Sequence, residues 1–135
     1  MTKRRRAKLR LTDTERLARF RYALRRFLRF SENRARRAGI SPTQYQLLLF
    51  VGGFGADPTV AELAERLQVE HQSAVGLVDR SAQAGLVLRR RDREDRRRVR
   101  VVLTRRGRAV LDRLVRAHSP EFRRLASVLE RLPVS

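Results

Sequence analysis

The stretch LRRRDREDRRRVRVVLTRRG, from Leu88 to Gly107, decides the fold of this chain. Residues 89–108 hold eleven arginines against three acids, which gives this short segment a net charge of +8. Val99, Val101 and Leu103 alternate in period two, as in a strand, and the middle of the stretch has no apolar residue and suits a turn. The pattern predicts a β-hairpin with strands near 87–91 and 97–103.

An arginine-loaded hairpin on a small domain has one common use, which is to lie against a nucleic-acid backbone and reach into its minor groove. Because predicted helices come immediately before it, we expect the hairpin to be the wing of a winged helix-turn-helix. A solvated charge run is the alternative, and it explains the charge but not the alternation. We expect Asp95 to hold the wing by bridging Arg97 or Arg80. The arginines that we expect to contact DNA are Arg89, Arg90, Arg91, Arg93, Arg96, Arg97 and Arg98.

The composition is that of one small globular domain. The 135 residues are 41% hydrophobic, and no apolar run approaches the roughly 20 residues that span a bilayer. The basic segment 3–10 is followed by a charged helix and not by the apolar core of a signal peptide. Without cysteine there is no disulfide, no cysteine zinc site and no thiol switch. We expect a cytoplasmic protein with a disordered basic arm at 1–11, a single domain at 12–135, and neither metal nor cofactor.

The net charge of +19 is unevenly distributed along the chain. Residues 39–88 carry a net charge of −3, whereas residues 12–38 carry +6 and residues 89–108 carry +8. A uniformly basic coat protein would not show this pattern. Particular elements therefore deliver the positive charge, and the mildly acidic central region lies between them.

Helical spacing and capping signals predict the elements before the hairpin. A long first helix runs from about 13 to 37, and Gly39 ends it. Ser, Pro, Thr and Gln at 41–44 form a capping box that opens a second helix. The glycine-rich segment 52–55 breaks this helix.

A short third helix opens with a second capping box, Thr, Val, Ala and Glu at 59–62. A fourth helix begins at about His71, and Gly85 suits the left-handed position after its end. After the hairpin we expect one helix over 105–118 and a separate helix that starts at Ser119.

The first and last helices carry more apolar surface than one small core can bury. Packing against the same helices of a second copy, under two-fold symmetry, is the usual solution. We therefore expect a homodimer formed by residues 12–38 and 105–135, with the winged helix-turn-helix at 39–104. The expected interface residues are Leu17, Phe20, Leu24, Phe27, Phe122, Leu125 and Leu129.

The order of elements resembles that of the MarR family of bacterial transcription regulators, over about residues 12–132. The segment VAELAERL at 60–67 is similar to the family's support helix. The segment LVDR at 77–80, followed by AGLV at 84–87, is similar to its recognition helix and exit. These helical matches are weak when taken singly, because many helix-turn-helix proteins share them.

The wing motif is the most specific part of the resemblance. Asp-Arg-Arg at 95–97 is followed by the strand end Val-x-Leu-Thr at 101–104 and by Gly107, at the family's spacing. The resemblance implies a mainly α (α+β) fold, which is a winged helix-turn-helix with N- and C-terminal dimerisation helices. It also implies a DNA-binding regulator and no enzymatic activity.

In a helix-turn-helix the polar face of the recognition helix enters the major groove. Gln72 can read adenine with two hydrogen bonds, and His71 and Ser73 can contact bases or phosphates. A solvated face is the alternative, which the neighbouring wing disfavours. The residues of this helix that we expect at DNA are His71, Gln72, Ser73, Gly76 and Arg80.

Three positions depart from the family's pattern. Glu70 stands where a small capping residue is usual, Gly76 where a side chain often touches DNA, and Ser81 where an apolar residue is usual. The resemblance implies a small-molecule pocket between the dimer base and the winged domain. From the local charge we expect an anionic or phenolic effector near Arg21, Arg25 and Ser81. A solvated or DNA-facing role for these two arginines is the alternative that we favour.

The main interpretation is a homodimeric repressor that binds a palindromic operator in double-stranded DNA and responds to a small-molecule effector. One alternative is an architectural or ribosome-associated basic protein that binds nucleic acid without sequence preference. The other is an antirepressor or adaptor that kept the fold and lost DNA recognition, which Glu70 and Gly76 allow. His71 and His118 are too isolated for metal or acid–base chemistry, and we expect no enzyme.

Overall fold

The computed structural model describes residues 11–132, so the predicted basic arm lies almost wholly outside the described residues. The described chain is mainly helical with a two-stranded antiparallel sheet, which confirms the predicted fold class. No helix in this range is both long and apolar enough to cross a membrane. The elements are α1 Asp13–Arg37, α2 Pro42–Gly52, α3 Val60–Leu67, α4 His71–Gln83, β1 Val87–Arg91, β2 Val99–Leu103 and α5 Arg105–Glu130.

Both predicted capping boxes are present. The Ser41 hydroxyl accepts a hydrogen bond from the Gln44 amide at 3.1 Å, and the Gln44 side chain accepts one from the Ser41 amide at 3.0 Å. Thr59 and Glu62 make the same exchange at 3.2 and 3.1 Å. Since these local side chains satisfy amides of the first turns, α2 and α3 begin where the sequence predicts.

The turns on either side of α4 use left-handed backbone. Gln68, directly after α3, has a φ of 57°, and Gly85, after α4, has a φ of 76°. The left-handed glycine was predicted from the sequence. The Leu86 amide donates to the Ser81 carbonyl at 2.9 Å, which closes the end of α4. The chain therefore passes directly from α4 into β1.

The hairpin pairs β1 with β2 in antiparallel register, with Arg91 opposite Val99. β1 has the predicted bounds, whereas β2 begins two residues later than predicted. The Arg98 amide donates to the Asp95 carbonyl at 2.9 Å, and the Asp92 amide donates to the Arg98 carbonyl at 2.9 Å. These bonds hold the connecting loop as a compact turn, so its last residues do not extend the strand.

The prediction of two helices after the hairpin is wrong, because α5 continues through Pro120 to its end at Glu130. An internal proline removes one amide donor and crowds the carbonyl four residues earlier, at a cost of about 3 kcal/mol. Apolar residues at helical spacing nevertheless continue past it, with Leu125 and Val128 partly buried. A continuous helix keeps this stripe together, and each buried aliphatic side chain contributes about 2 kcal/mol.

The described chain forms two compact units, whose borders fall inside α1 and α5. One unit comprises residues 31–118 and contains the whole winged helix-turn-helix. The other comprises residues 11–30 and 119–132, which are the outer parts of the two long helices. The border in α5 lies between His118 and Ser119, one residue before Pro120.

The larger unit has one apolar core to which its helices and the hairpin all contribute. Ser81 is fully buried in this unit, and within the described part its hydroxyl oxygen has no hydrogen-bond partner. Leu47 is also fully buried. The core residues are Ala35, Ile40, Tyr45, Leu47, Leu48, Val51, Leu63, Leu77, Val78, Leu86, Val87, Val101, Leu111 and Leu114.

Gly107, in the first turn of α5, lies against the start of the hairpin. A Cβ atom at this position would be 1.9 Å from the Leu86 carbonyl oxygen, so only glycine fits. Thr104 secures the same junction. Its amide donates to the Leu86 carbonyl at 3.1 Å, and its hydroxyl donates to the Gly85 carbonyl at 2.6 Å. The glycine of the wing motif is therefore required for packing.

We predict that Gly107→Ala lowers the free energy of unfolding by at least about 2 kcal/mol, because the backbone must move to admit the methyl group. The matched control is Gly76→Ala in α4, where the new Cβ would meet only the mobile end of Arg80, at 3.3 Å. Since alanine is the better helix former, the control should gain about 0.5–1 kcal/mol. Urea unfolding of both variants measures this, and equal shifts would contradict the close-contact explanation.

Candidate nucleic-acid interface

Helix α4 presents one buried and one exposed face. Ala74, Leu77, Val78 and Ser81 are buried in the larger unit. The helical period thus places the buried and the exposed side chains on opposite faces. Gly76 is intermediate in exposure. The exposed side chains are His71, Gln72, Ser73, Asp79, Arg80 and Gln83.

Two of the three departures, at Glu70 directly before α4 and at Gly76 within it, have different local effects. Glu70 occupies the N-cap position but makes no side-chain capping hydrogen bond. Its exposed carboxylate still complements the positive end of the helix dipole. At Gly76, an added Cβ would lie 3.3 Å from the Arg80 guanidinium. Arg80 therefore folds back over the glycine and occupies space that a side chain at that position would take.

Two wing arginines are held by acids from the central, net-negative part of the chain. Arg89 in β1 pairs with Asp79 of the recognition helix at 2.7 Å. Arg90 pairs with Asp57, in the loop before α3, at 3.3 Å. Both arginines were expected to contact DNA, whereas no role was predicted for either acid. Their pairing could not be read from local spacing, because Asp57 and Arg90 are 33 residues apart.

Two further arginines make contacts inside the loop of the wing. Arg91 donates to the Arg96 carbonyl at 2.9 Å. Asp95 accepts from the Arg97 amide at 3.1 Å and from the Arg97 side chain at 3.4 Å. Arg97 was one of the two partners expected for Asp95. Its side chain is 92% exposed, so the guanidinium can still meet a ligand.

The remaining arginines of the loop carry its free charge. Arg93, Arg96 and Arg98 are exposed, and their side chains form no ion pair with any described residue. Exposed guanidinium groups suit bidentate contacts with phosphate. Together with Arg97, they form the surface of the wing best suited to a nucleic-acid backbone.

Asp92 organises the loop, and the sequence analysis missed it. Its carboxylate accepts from the Glu94 amide at 3.1 Å and from the Arg100 side chain at 3.1 Å. The Glu94 amide, followed by Arg100, holds the pKa of Asp92 below its usual value. An aspartate that directly follows a predicted strand and opens a run without apolar residues is a sequence signal of an Asx turn, and this signal could have identified Asp92.

The smaller unit contains an open groove between the outer parts of α1 and α5, with a volume of about 320 Å³. Of the expected interface residues, Phe27 and Leu125 line this groove. Leu17 is 64% exposed and Phe122 is 61% exposed, which is unusual for large apolar side chains. Phe20 and Leu24 are partly buried, and Leu129 is exposed.

The residues expected at an effector site lie in different units. Arg21 and Arg25 belong to the smaller unit and are exposed, and they are not among the residues that line its groove. Ser81 belongs to the core of the larger unit. Other arginines line the groove. Arg19 and Arg26 belong to α1, Arg124 belongs to α5, and Arg131 directly follows α5.

The described residues contain no group of three or more histidines, cysteines or acids that could hold a metal ion. His118 is buried and stacks on Tyr45, with ring centroids 4.9 Å apart. Its Nδ1 lies 2.7 Å from the Leu114 carbonyl. These surroundings are those of a histidine in a protein core.

Residues 38–98 match the sequence model of the MarR family. The chain is also 33% identical over 97 residues to the HTH-type transcriptional repressor YetL of Bacillus subtilis (strain 168). The match covers 68% of this chain and 54% of YetL, so the chain spans about half the length of this relative.

Solved structures share the fold. A mutant of S. aureus MepR bound to an oligodeoxyribonucleotide has a TM-score of 0.65 and 19% identity, over 80% of this chain and 79% of MepR. CouR from Rhodococcus jostii RHA1, bound to p-coumaroyl-CoA, has a TM-score of 0.66 and 23% identity, over 73% of this chain and 68% of CouR. At these identities the likeness is one of fold.

Proposed function

Because this chain belongs to the MarR family, whose members are transcription regulators and not enzymes, we propose that it regulates transcription by binding specific double-stranded DNA. The observation that carries this proposal is the presence, on one compact unit, of an exposed polar face on α4 and a wing with unpaired arginines. The polar face offers hydrogen bonds to base edges, and the wing offers charge to the phosphates.

We further propose that the protein is a repressor that acts as a homodimer on a palindromic operator. The repressor role is supported by the likeness to YetL. The dimer is supported by the exposed apolar side chains of Leu17 and Phe122. A two-fold dimer reads two half-sites about one helical turn apart, so its operator is expected to be palindromic.

Selection of bound sequences from random duplexes tests this function. A regulator of this kind should enrich a palindrome with half-sites about 10 base pairs apart. An architectural protein would bind duplexes without enrichment. An adaptor that had lost DNA recognition would bind duplexes too weakly to retain the pool at physiological salt.

We predict that the wing and the recognition helix make separable contributions to DNA binding. Arg93→Ala should weaken binding to operator and random DNA alike. The log of the association constant should also fall less steeply with log salt, by about 0.9 in slope per lost phosphate contact. Gln72→Ala should instead change the enriched sequence, with a cost of about 1–3 kcal/mol at the contacted base. Salt titrations and repeated selections measure the two effects.

The control for the wing variant is Arg113→Ala, which removes the same charge from an exposed position on α5. It should leave both the salt slope and the sequence preference nearly unchanged. If Gln72→Ala left the preference intact while Arg93→Ala altered it, the two roles would be reversed.

We predict that Leu17→Glu and Phe122→Glu each raise the dimer dissociation constant at least tenfold. Both side chains are mostly exposed in the single chain, so a charge costs little there, whereas a subunit interface would exclude it. Sedimentation equilibrium measures the constant. Val69→Glu, at an exposed apolar residue of the larger unit, is the control. A wild-type protein that stays monomeric at micromolar concentration would contradict the dimer.

The effector that we propose is an anionic or phenolic small molecule. The proposal is supported by CouR, which shares the fold and is bound to p-coumaroyl-CoA, and by the arginine-lined groove of the smaller unit. We predict that salicylate-like compounds raise the midpoint of thermal unfolding, because a ligand of the native state stabilises it. The same compounds should release the operator. No shift at millimolar concentration would contradict this part of the proposal.

A further inference from the structure

Arg90 and Arg100 lie directly opposite each other across the two strands of the wing. Like charges at such a position destabilise the pairing of strands. Both side chains reach the same residue outside the hairpin: Arg90 pairs with the Asp57 carboxylate at 3.3 Å, and Arg100 donates to the Asp57 carbonyl at 2.5 Å. The two arginines therefore have different acidic partners: the Asp57 carboxylate pairs with Arg90, and the Asp92 carboxylate pairs with Arg100 at 3.1 Å.

The backbone around Asp57 is fixed independently of its carboxylate. Thr59 forms an antiparallel bridge with Arg100, and the Val101 amide donates to the Pro58 carbonyl at 2.8 Å. The loop before α3 thus lies along the open edge of β2. Since these bonds involve only main-chain atoms, loss of the Asp57 carboxylate should leave the wing in place.

The Asp57–Arg90 pair is open to solvent. The Arg90 side chain is 62% exposed and that of Asp57 is 39% exposed. Ion pairs of this kind are weak and exchange readily with other partners. A guanidinium binds a phosphate through the same geometry as a carboxylate, so a DNA backbone near the wing is a direct competitor for Arg90.

We propose that Asp57 is a positioning residue that competes with DNA phosphates for Arg90 and thereby limits the affinity of the wing for DNA of any sequence. The proposal rests on the function proposed above. It divides the wing into arginines restrained by an acid of the same chain and arginines free to bind phosphate. Arg90 belongs to the first class, and Arg93 belongs to the second.

The test compares wild type with Asp57→Asn in binding a random-sequence duplex between 50 and 200 mM salt. Freeing Arg90 for one more phosphate should steepen the slope of log K against log salt by about 0.9 per chain. The dissociation constant of the variant should therefore rise about threefold more than that of wild type over this range. At 50 mM salt the variant should bind more tightly.

Two variants control for charge and structure. Asp112→Asn removes an exposed carboxylate from α5 and should leave the slope unchanged. Asp57→Glu keeps a carboxylate at the site and should restore the wild-type slope. Adding Arg90→Gln to Asp57→Asn should abolish both the steeper salt dependence and the tighter binding. Arg90→Gln alone should make the salt dependence shallower by less than Arg93→Gln does.

Each result of these titrations decides between the proposal and a structural role. A slope for Asp57→Asn equal to that of Asp112→Asn would overturn the competition while leaving DNA binding intact. Weaker binding with a lower melting temperature would make Asp57 a purely structural residue, which also overturns it. A wild-type protein that binds no duplex at 50 mM salt would remove the proposed function itself.

Discussion

The winged unit depends on the junction where the first turn of α5 meets the chain as it leaves α4. The Thr104 hydroxyl donates to the Gly85 carbonyl and accepts from the Gly107 amide at 2.9 Å, while the Thr104 amide donates to the Leu86 carbonyl. No side chain fits at Gly107. Since the hairpin leaves from and returns to this one point, the direction of the wing is tied to the end of the recognition helix. The function proposed for these two elements requires a fixed orientation, because a helix that reads bases and a wing that contacts phosphates must meet the same duplex.

A second constraint is the distribution of acids around an otherwise cationic hairpin. Asp57 and Asp79 reach the wing from other elements, and Asp92 and Asp95 act within its loop. Each acid pairs with an arginine of the wing and thereby reduces the availability of that guanidinium to other anions. The acids also lower the charge that the wing presents. Among the described residues, the exposed arginines of the wing loop that pair with no acid are Arg93, Arg96 and Arg98.

Most of the fold could be predicted, because its signals are local. Capping boxes at Ser41 and Thr59, a left-handed glycine at Gly85 and the alternation of β2 depend on a few adjacent residues each. The prediction was wrong at Pro120, where a local helix-breaking signal competes with apolar packing on both sides of the residue. Local sequence patterns predict how much an internal proline destabilises a helix, but they do not predict which apolar side chains the continued helix buries.

The candidate site was harder to predict, because its geometry depends on contacts between distant residues. The arginines of the wing were recognised from their density, but density alone does not distinguish Arg90 from Arg93. Arg90 is paired with an acid 33 residues away, whereas Arg93 forms no ion pair with any residue that the structure describes. In the formal charge of +8 over residues 89–108, Arg90 and Arg93 each contribute one positive charge. What a polyanion meets is the set of guanidinium groups that no carboxylate of the same chain already holds. The affinity of a basic segment is therefore a property of the fold around it, and the acids of the central region are part of that property.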